Sequence, residues 1–282
     1  MYIDTHAHVN FSAFKDDADE VLKRTLEAGV FVINVGSQYS TSARAVKMAE
    51  RYPGGVYAAV GLHPIQLQKR TMEYRDDYEL TPEEIKTSGE VFEYAKYLAL
   101  AKDEKVVAIG EVGLDYHHFM EGDNIPELIS KQKEVFLEFI KLANDAKKPI
   151  MIHCWGNENE MNAYKDLYEI LQNNPVEEKG IIHSFMGGYK TARKFTELGY
   201  KIGLNGVITY SDSFNRLIKE LDLKDMVLET DCPYLTPVPH KGERNEPLYV
   251  KLVAEKIAQI KEISVEKVAE ISTQNAGKTF VL

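Results

Sequence analysis

The sequence predicts an α/β protein of the (β/α)8 TIM-barrel type, and three observations carry that expectation. Short apolar, β-branched segments alternate with longer amphipathic ones from end to end. Eight such short segments can be counted, each followed by a helical pattern. Polar residues able to bind metal stand where several of the apolar segments end, the place from which barrel enzymes draw their active sites.

In chain order, strands are expected at residues 2–4, 30–35, 56–60, 106–109, 150–152, 180–182, 200–203 and 226–228. Helical patterns lie near residues 16–28, 41–51, 89–102, 127–147, 158–173, 190–198 and 213–221, with a last helical stretch from about 247 onward. A doubly wound open sheet is the alternative, but no G-x-G-x-x-G follows the first strand. No Pro-, Gly- or Ser-rich linker and no low-complexity tract divides the chain, so residues 1–282 read as a single barrel domain. The stretch 65–88 is polar and longer than a usual β/α loop, and it contains Glu73-Tyr74-Arg75-Asp76-Asp77-Tyr78-Glu79. It reads as a lid or as a solvated insertion.

Composition narrows the class. With 282 residues, 44% hydrophobic and 28% charged, the chain can bury a large core. No window approaches the roughly 18 apolar residues that span a bilayer, and no basic and apolar leader follows Met1. A cytoplasmic protein is expected. The two cysteines, Cys154 and Cys232, are too few for a disulfide framework. A formal charge of −10 argues against a broad electrostatic footprint for duplex nucleic acid. It leaves open a phosphodiester substrate, because bound divalent cations dominate the local field.

Asp4-Thr5-His6-Ala7-His8 is the strongest single signal, since side chains two apart on extended backbone point the same way and can share one metal. Four further ligand candidates follow apolar runs: Glu111, His153, His183 and Asp231. Each alone has an ordinary structural explanation in a turn, a cap or a core histidine. Together they exceed what one tetrahedral catalytic zinc needs, so two divalent ions are expected. His6, His8 and Glu111 are assigned to one ion, and Glu111, His153 and His183 to the other, with Glu111 as bridge. Asp231 completes the first site or takes a proton from water, which makes Asp231 and Glu111 the expected catalytic carboxylates. Imidazole and carboxylate together admit Mg2+, Zn2+ or Mn2+.

His63, Asn205, Lys241 and Arg244 are the expected substrate contacts, Arg being the better bidentate partner for phosphate. His63 before Pro64, and Asn205 before Gly206, also suit simple turns. Trp155 is a candidate for stacking on a base. Cys154 and Cys232 each follow a ligand directly and are expected to point away from it, into the layer between sheet and helices.

These residues resemble the TatD family of metal-dependent deoxyribonucleases. The likeness is carried by Ile3-Asp4-Thr5-His6-Ala7-His8, Gly61-Leu62-His63-Pro64, Gly110-Glu111-Val112-Gly113-Leu114-Asp115-Tyr116, Pro149-Ile150-Met151-Ile152-His153, Ile182-His183-Ser184-Phe185 and Leu228-Glu229-Thr230-Asp231-Cys232-Pro233-Tyr234-Leu235. The resemblance implies a barrel, a dinuclear or easily depleted metal site, and nuclease action on DNA, often from 3′ to 5′. DNA, as single strands or ends, is then the expected partner, and no obligate protein partner or membrane association is evident. Departures bear on substrate more than on metal. Trp155 and Asn157 stand where the family commonly carries a basic and an acidic residue, and Glu243 replaces a Lys in a basic C-terminal pattern. These changes weaken phosphate binding. Two other readings remain at this point: a related amidohydrolase acting on a small ester, lactone, amide or phosphoester, and a noncatalytic scaffold clipped by metal.

Overall fold

The computed structural model describes residues 1–74, 83–156 and 162–282. Its strands are β1 (Tyr2–Ala7), β2 (Val30–Val35), β3 (Val56–Val60), β4 (Thr71–Tyr74), β5 (Glu83–Lys86), β6 (Val106–Asp115), β7 (Ile150–Trp155), β8 (Gly180–Ile182), β9 (Lys201–Leu204) and β10 (Met226–Leu228). The helices are α1 (Ala18–Glu27), α2 (Tyr39–Ala49), α3 (Tyr94–Ala101), α4 (Ile125–Ala146), α5 (Ala163–Asn173), α6 (Tyr189–Glu197), α7 (Asn215–Glu220), α8 (Val250–Lys261) and α9 (Val265–Phe280).

Eight strands form one sheet in the order β1-β2-β3-β6-β7-β8-β9-β10, and every neighbouring pair is parallel. The sheet curls into a nearly closed (β/α)8 barrel. Its seam is sewn at the mouth: Asp231 N–H donates to the His6 carbonyl and His8 N–H to the Cys232 carbonyl, both at 2.8 Å. Below them the Thr5 hydroxyl reaches the Leu228 carbonyl at 3.0 Å. The bonds that close the barrel therefore also fix the spacing of His6, His8 and Asp231.

Two apolar layers sandwich the strands. The inner one is small, with Ile3, Ile33, Val35, Ala59, Ala108, Met151, Ile181 and Val227 from the strands joined by Ala276 and Phe280 of α9. The outer one fills the space between sheet and helices and holds both cysteines, as their place beside the ligands predicts. Strand β9 gives no apolar side chain to the inner layer. Its Gly203 leaves room for Glu229, whose Oε2 would lie 2.4 Å from any Cβ added there.

The expected strand positions agree with the structure, but β1, β6 and β7 run further than their apolar stretches. Inward polar residues at the mouth hide the continuation. The last helical stretch is divided at Glu262, where the backbone turns left-handed, and Ser264 starts α9 by accepting from the Lys267 N–H. The insertion at 65–88 is more ordered at its base than a plain loop. Strands β4 and β5 pair antiparallel from Thr71–Lys86 to Tyr74–Glu83. Gln66 and Thr87 tie that hairpin down, with Gln66 Oε1 accepting from Ser88 N–H at 2.9 Å. Residues 75–82, which include most of the charged, Tyr-rich run, and Asn157 lie outside the described residues.

Candidate metal centre

Two interruptions of strand register aim the ligands. In β1 the pairing with β2 shifts between Asp4 and Ala7. Strict alternation would place Ala7 on the same face as Ile3, yet Ile3 belongs to the inner layer and Ala7 and Val9 to the outer one. The extra residue resets the phase, and His6 and His8 point into the mouth. In β6 a second shift falls between Ile109 and Val112. Val112 and Leu114 then pack outward, while Glu111 and Asp115 face inward.

The six ligand candidates meet around Glu111. Its Oε2 lies 3.5 Å from His6 Nε2 and 3.8 Å from His8 Nε2. Its Oε1 lies 2.6 Å from His183 Nε2 and 3.1 Å from His153 Nδ1. Asp231 closes the first side, with Oδ1 3.3 Å from His8 Nε2 and 3.7 Å from His6 Nε2. Donor atoms in three overlapping groups lie within 4.8 Å of one another: His6 with His8 and Asp231, His6 with Glu111 and His183, and His63 with Glu111 and His153.

The hydrogens on the histidine rings are placed so that cations fit. The Val35 carbonyl can only accept, so His8 Nδ1, 2.9 Å away, carries the hydrogen and Nε2 of the neutral ring presents a lone pair. That lone pair faces the Asp231 carboxylate. By the same logic Asp115 Oδ2, at 3.0 Å, holds the proton on His153 Nε2 and leaves Nδ1 facing Glu111. Lone pairs thus oppose carboxylate oxygens on both sides of Glu111, an arrangement that divalent cations satisfy. Without them, protons must serve. Burial disfavours charge on His153, but Asp115 and Glu111 outweigh it and raise its pKa to about 10. Burial likewise pushes Glu111 upward, while His63, His183 and His153 hold it well below the usual carboxylate range.

His63 behaves differently from the metal candidates. Its Nδ1 accepts from the Ile65 N–H at 3.2 Å, so the neutral ring carries its hydrogen on Nε2 and donates to Glu111 Oε1 at 3.3 Å. It caps the turn its Pro64 suggested and also steadies the central carboxylate. Asn205 combines two tasks too, accepting from the Val207 N–H and donating to Ser184 Oγ at 2.8 Å.

Neither basic residue expected at the substrate is found at the cavity. Arg244 forms a fork on Asp17 at 2.6 and 2.9 Å, touches Glu246 at 3.3 Å and packs over Phe14. Lys241 sits 3.8 Å from the centroid of the Tyr210 ring. Neither is among the side chains that line the space before the metal centre. Glu243 is engaged by His240 at 3.0 Å. Trp155 does line the cavity, and His117 stacks on it at 4.2 Å.

Three buried carboxylates behind the ligands escaped the sequence reading. Asp115 holds His153 and, at 2.8 Å, His118. Glu229 accepts the Ser184 N–H at 2.5 Å and lies 3.9 Å from His183 Nδ1; burial and nearby Asp231 raise its pKa well above normal. Asp4 binds the Thr230 hydroxyl at 2.6 Å and backbone N–H at 2.9 Å. The period-of-two rule that singled out His6 and His8 also links Glu111 to Asp115 and Asp231 to Glu229, and it was the available signal.

The family described as TatD related DNase matches residues 3–281. The chain belongs to that family. Among similar TatD-family proteins, the metal-dependent hydrolase YabD of Bacillus subtilis is 37% identical, with 99% of each chain covered. The human deoxyribonuclease TATDN3 is 32% identical, over 99% of this chain and 94% of that one. A solved structure of the TatD homologue YJJV from Escherichia coli superposes with a TM-score of 0.79 at 28% identity, covering 100% of this chain and 98% of the other. This TatD-family chain is accordingly a metal-dependent hydrolase, and its histidine and carboxylate groups are able to hold metal ions. Among the described residues, no helix is long and apolar enough to cross a membrane.

Proposed function

We propose that this hydrolase cleaves phosphodiester bonds of DNA, acting on single strands or ends. The observation that carries the reading is the division of Glu111: Oε2 turns to His6 and His8, and Oε1 to His153 and His183. In this reading His6, His8 and Asp231 hold one divalent ion, His153 and His183 a second, and Glu111 is shared. Such a pair, when bound, supplies an acidified water and neutralises charge on the phosphoryl oxygens.

The protein's own groups then do the following. Asp231 lines the cavity and takes a proton from the attacking water. The water oxygen bonds to phosphorus, the bond from phosphorus to the leaving oxygen breaks, that oxygen takes a proton from solvent water, and Asp231 gives its proton back to solvent. His63 holds Glu111 in place through its Nε2–H, and Asp115 keeps His153 in the tautomer that faces inward. The close relationship to TATDN3, named a deoxyribonuclease, supports DNA as the substrate.

End-labelled single-stranded DNA incubated with protein reconstituted in Mg2+, Mn2+ or Zn2+ tests the proposal. Metal-dependent shortening from an end, lost in Glu111→Gln, is the expected result. Turnover confined to lactones, amides or simple monoesters would sink it.

A further inference from the structure

The cavity in front of the metal centre is rich in apolar side chains and poor in basic ones. Phe11, Ile65, Trp155, Met186, Val207 and Leu235 line it beside the uncharged polar groups of Ser37, Gln66 and Tyr234 and the ring of His118, and among the described residues it contains no Lys or Arg. The two basic residues expected there are spent elsewhere, Arg244 on Asp17 and Lys241 on Tyr210.

A tract of nucleic acid is held mainly by Lys and Arg neutralising successive phosphates. A cavity without them has one strong phosphate position, at the metal centre, and nothing of that kind for the next. Its aromatic and aliphatic walls favour a flat, uncharged group instead, because a base stacks on an aromatic side chain whatever its sequence. Trp155 is the largest such wall, and the His117 ring, lying 9° from parallel, fixes its plane from one side.

We infer that the site takes short phosphodiesters bearing one aromatic group beside the scissile phosphate, of the size of a dinucleotide or a terminal nucleotide. Trp155 positions that group. The inference rests on the phosphodiesterase reading and narrows it from single strands or ends of any length to the smallest fragments, with Trp155 as the group that holds the base.

The test uses the metal-replete enzyme and single-stranded oligodeoxynucleotides from dinucleotide to hexadecamer. kcat/KM is measured at about 50 and 200 mM salt, the range over which phosphate-driven binding collapses. The dinucleotide should be cleaved within about threefold of the longest strand, and salt should change either value by less than about threefold, because only one phosphate is held. Trp155→Ala should raise KM for the dinucleotide about tenfold, as loss of one stacking contact does. Trp155→Phe, which keeps a ring, should restore most of it, and an ester with an abasic terminal sugar should respond to neither. Efficiency that climbs with each added phosphate and falls about a hundredfold or more with salt overturns the inference while leaving phosphodiesterase activity intact. Absence of cleavage of every phosphodiester, with turnover of lactones or amides, overturns the parent reading and this one with it.

Discussion

Asp115 accepts the Nε2 hydrogen of His153 at 3.0 Å, and this single contact decides which nitrogen of His153 is turned toward Glu111. A residue that touches no substrate thereby sets the tautomer of one that faces the reaction. Groups that orient a metal-binding histidine in this way typically change metal affinity by about 10- to 100-fold when removed. Asp115→Asn is expected to lose affinity within that range while keeping the barrel folded. Metal titration followed by calorimetry, with circular dichroism as the check on folding, measures it. Unchanged affinity would reduce Asp115 to an anchor for the His117 and His118 backbone, whose N–H groups it also binds.

Asp231 sits where ligand and base are hard to separate, since its carboxylate meets His8 at 3.3 Å and also lines the cavity. Asp231→Asn retains an oxygen that can face a cation but cannot accept a proton from water. Metal content close to wild type with turnover reduced by about 100-fold or more is expected of a base. Loss of metal in elemental analysis would make Asp231 chiefly a ligand.

Binding of cations should release protons. In the cation-free protein His153 has a pKa raised to about 10, because the Asp115 and Glu111 carboxylates outweigh its burial. Its inward proton has to leave before the lone pair is available, so metal binding strengthens as pH rises toward that value. A site displacing one proton gains about tenfold in affinity per pH unit. Calorimetry in two buffers of different ionisation enthalpy reads the proton count directly, and a pH-independent affinity between neutral and mildly alkaline solution would contradict a His153 that is protonated before the cation binds.

Arg244 is bound to Asp17 by both arms of its guanidinium and is not among the residues that line the cavity. Arg244→Ala is expected to cost stability on the order of 1 kcal/mol, the partly exposed pair being screened by water. Its kcat/KM on a dinucleotide should stay within about twofold, since no phosphate contact is removed. Urea unfolding and steady-state kinetics on the same variant test both halves, and a large kinetic defect with unchanged stability would return Arg244 to the substrate.

The sequence by itself determined the eight parallel strands, because each carries an apolar stretch bounded by turns, and it determined the six clustered ligand candidates, because each follows such a stretch. It did not determine where the strands end or how their faces are phased. That Ile3 and Ala7, four apart on one strand, belong to opposite layers is decided by the register shift in β1, which is set by pairing with β2. Glu229 reads as a spacer before Asp231 until Gly203 of the neighbouring strand is seen to leave it a place inside the barrel. That Arg244 pairs with Asp17, from the opposite end of the chain, is likewise invisible along the sequence. Period and composition are local properties, legible along the chain. A bulge, a buried carboxylate and an ion pair depend on which distant residue arrives next to them, and only the closed barrel decides that.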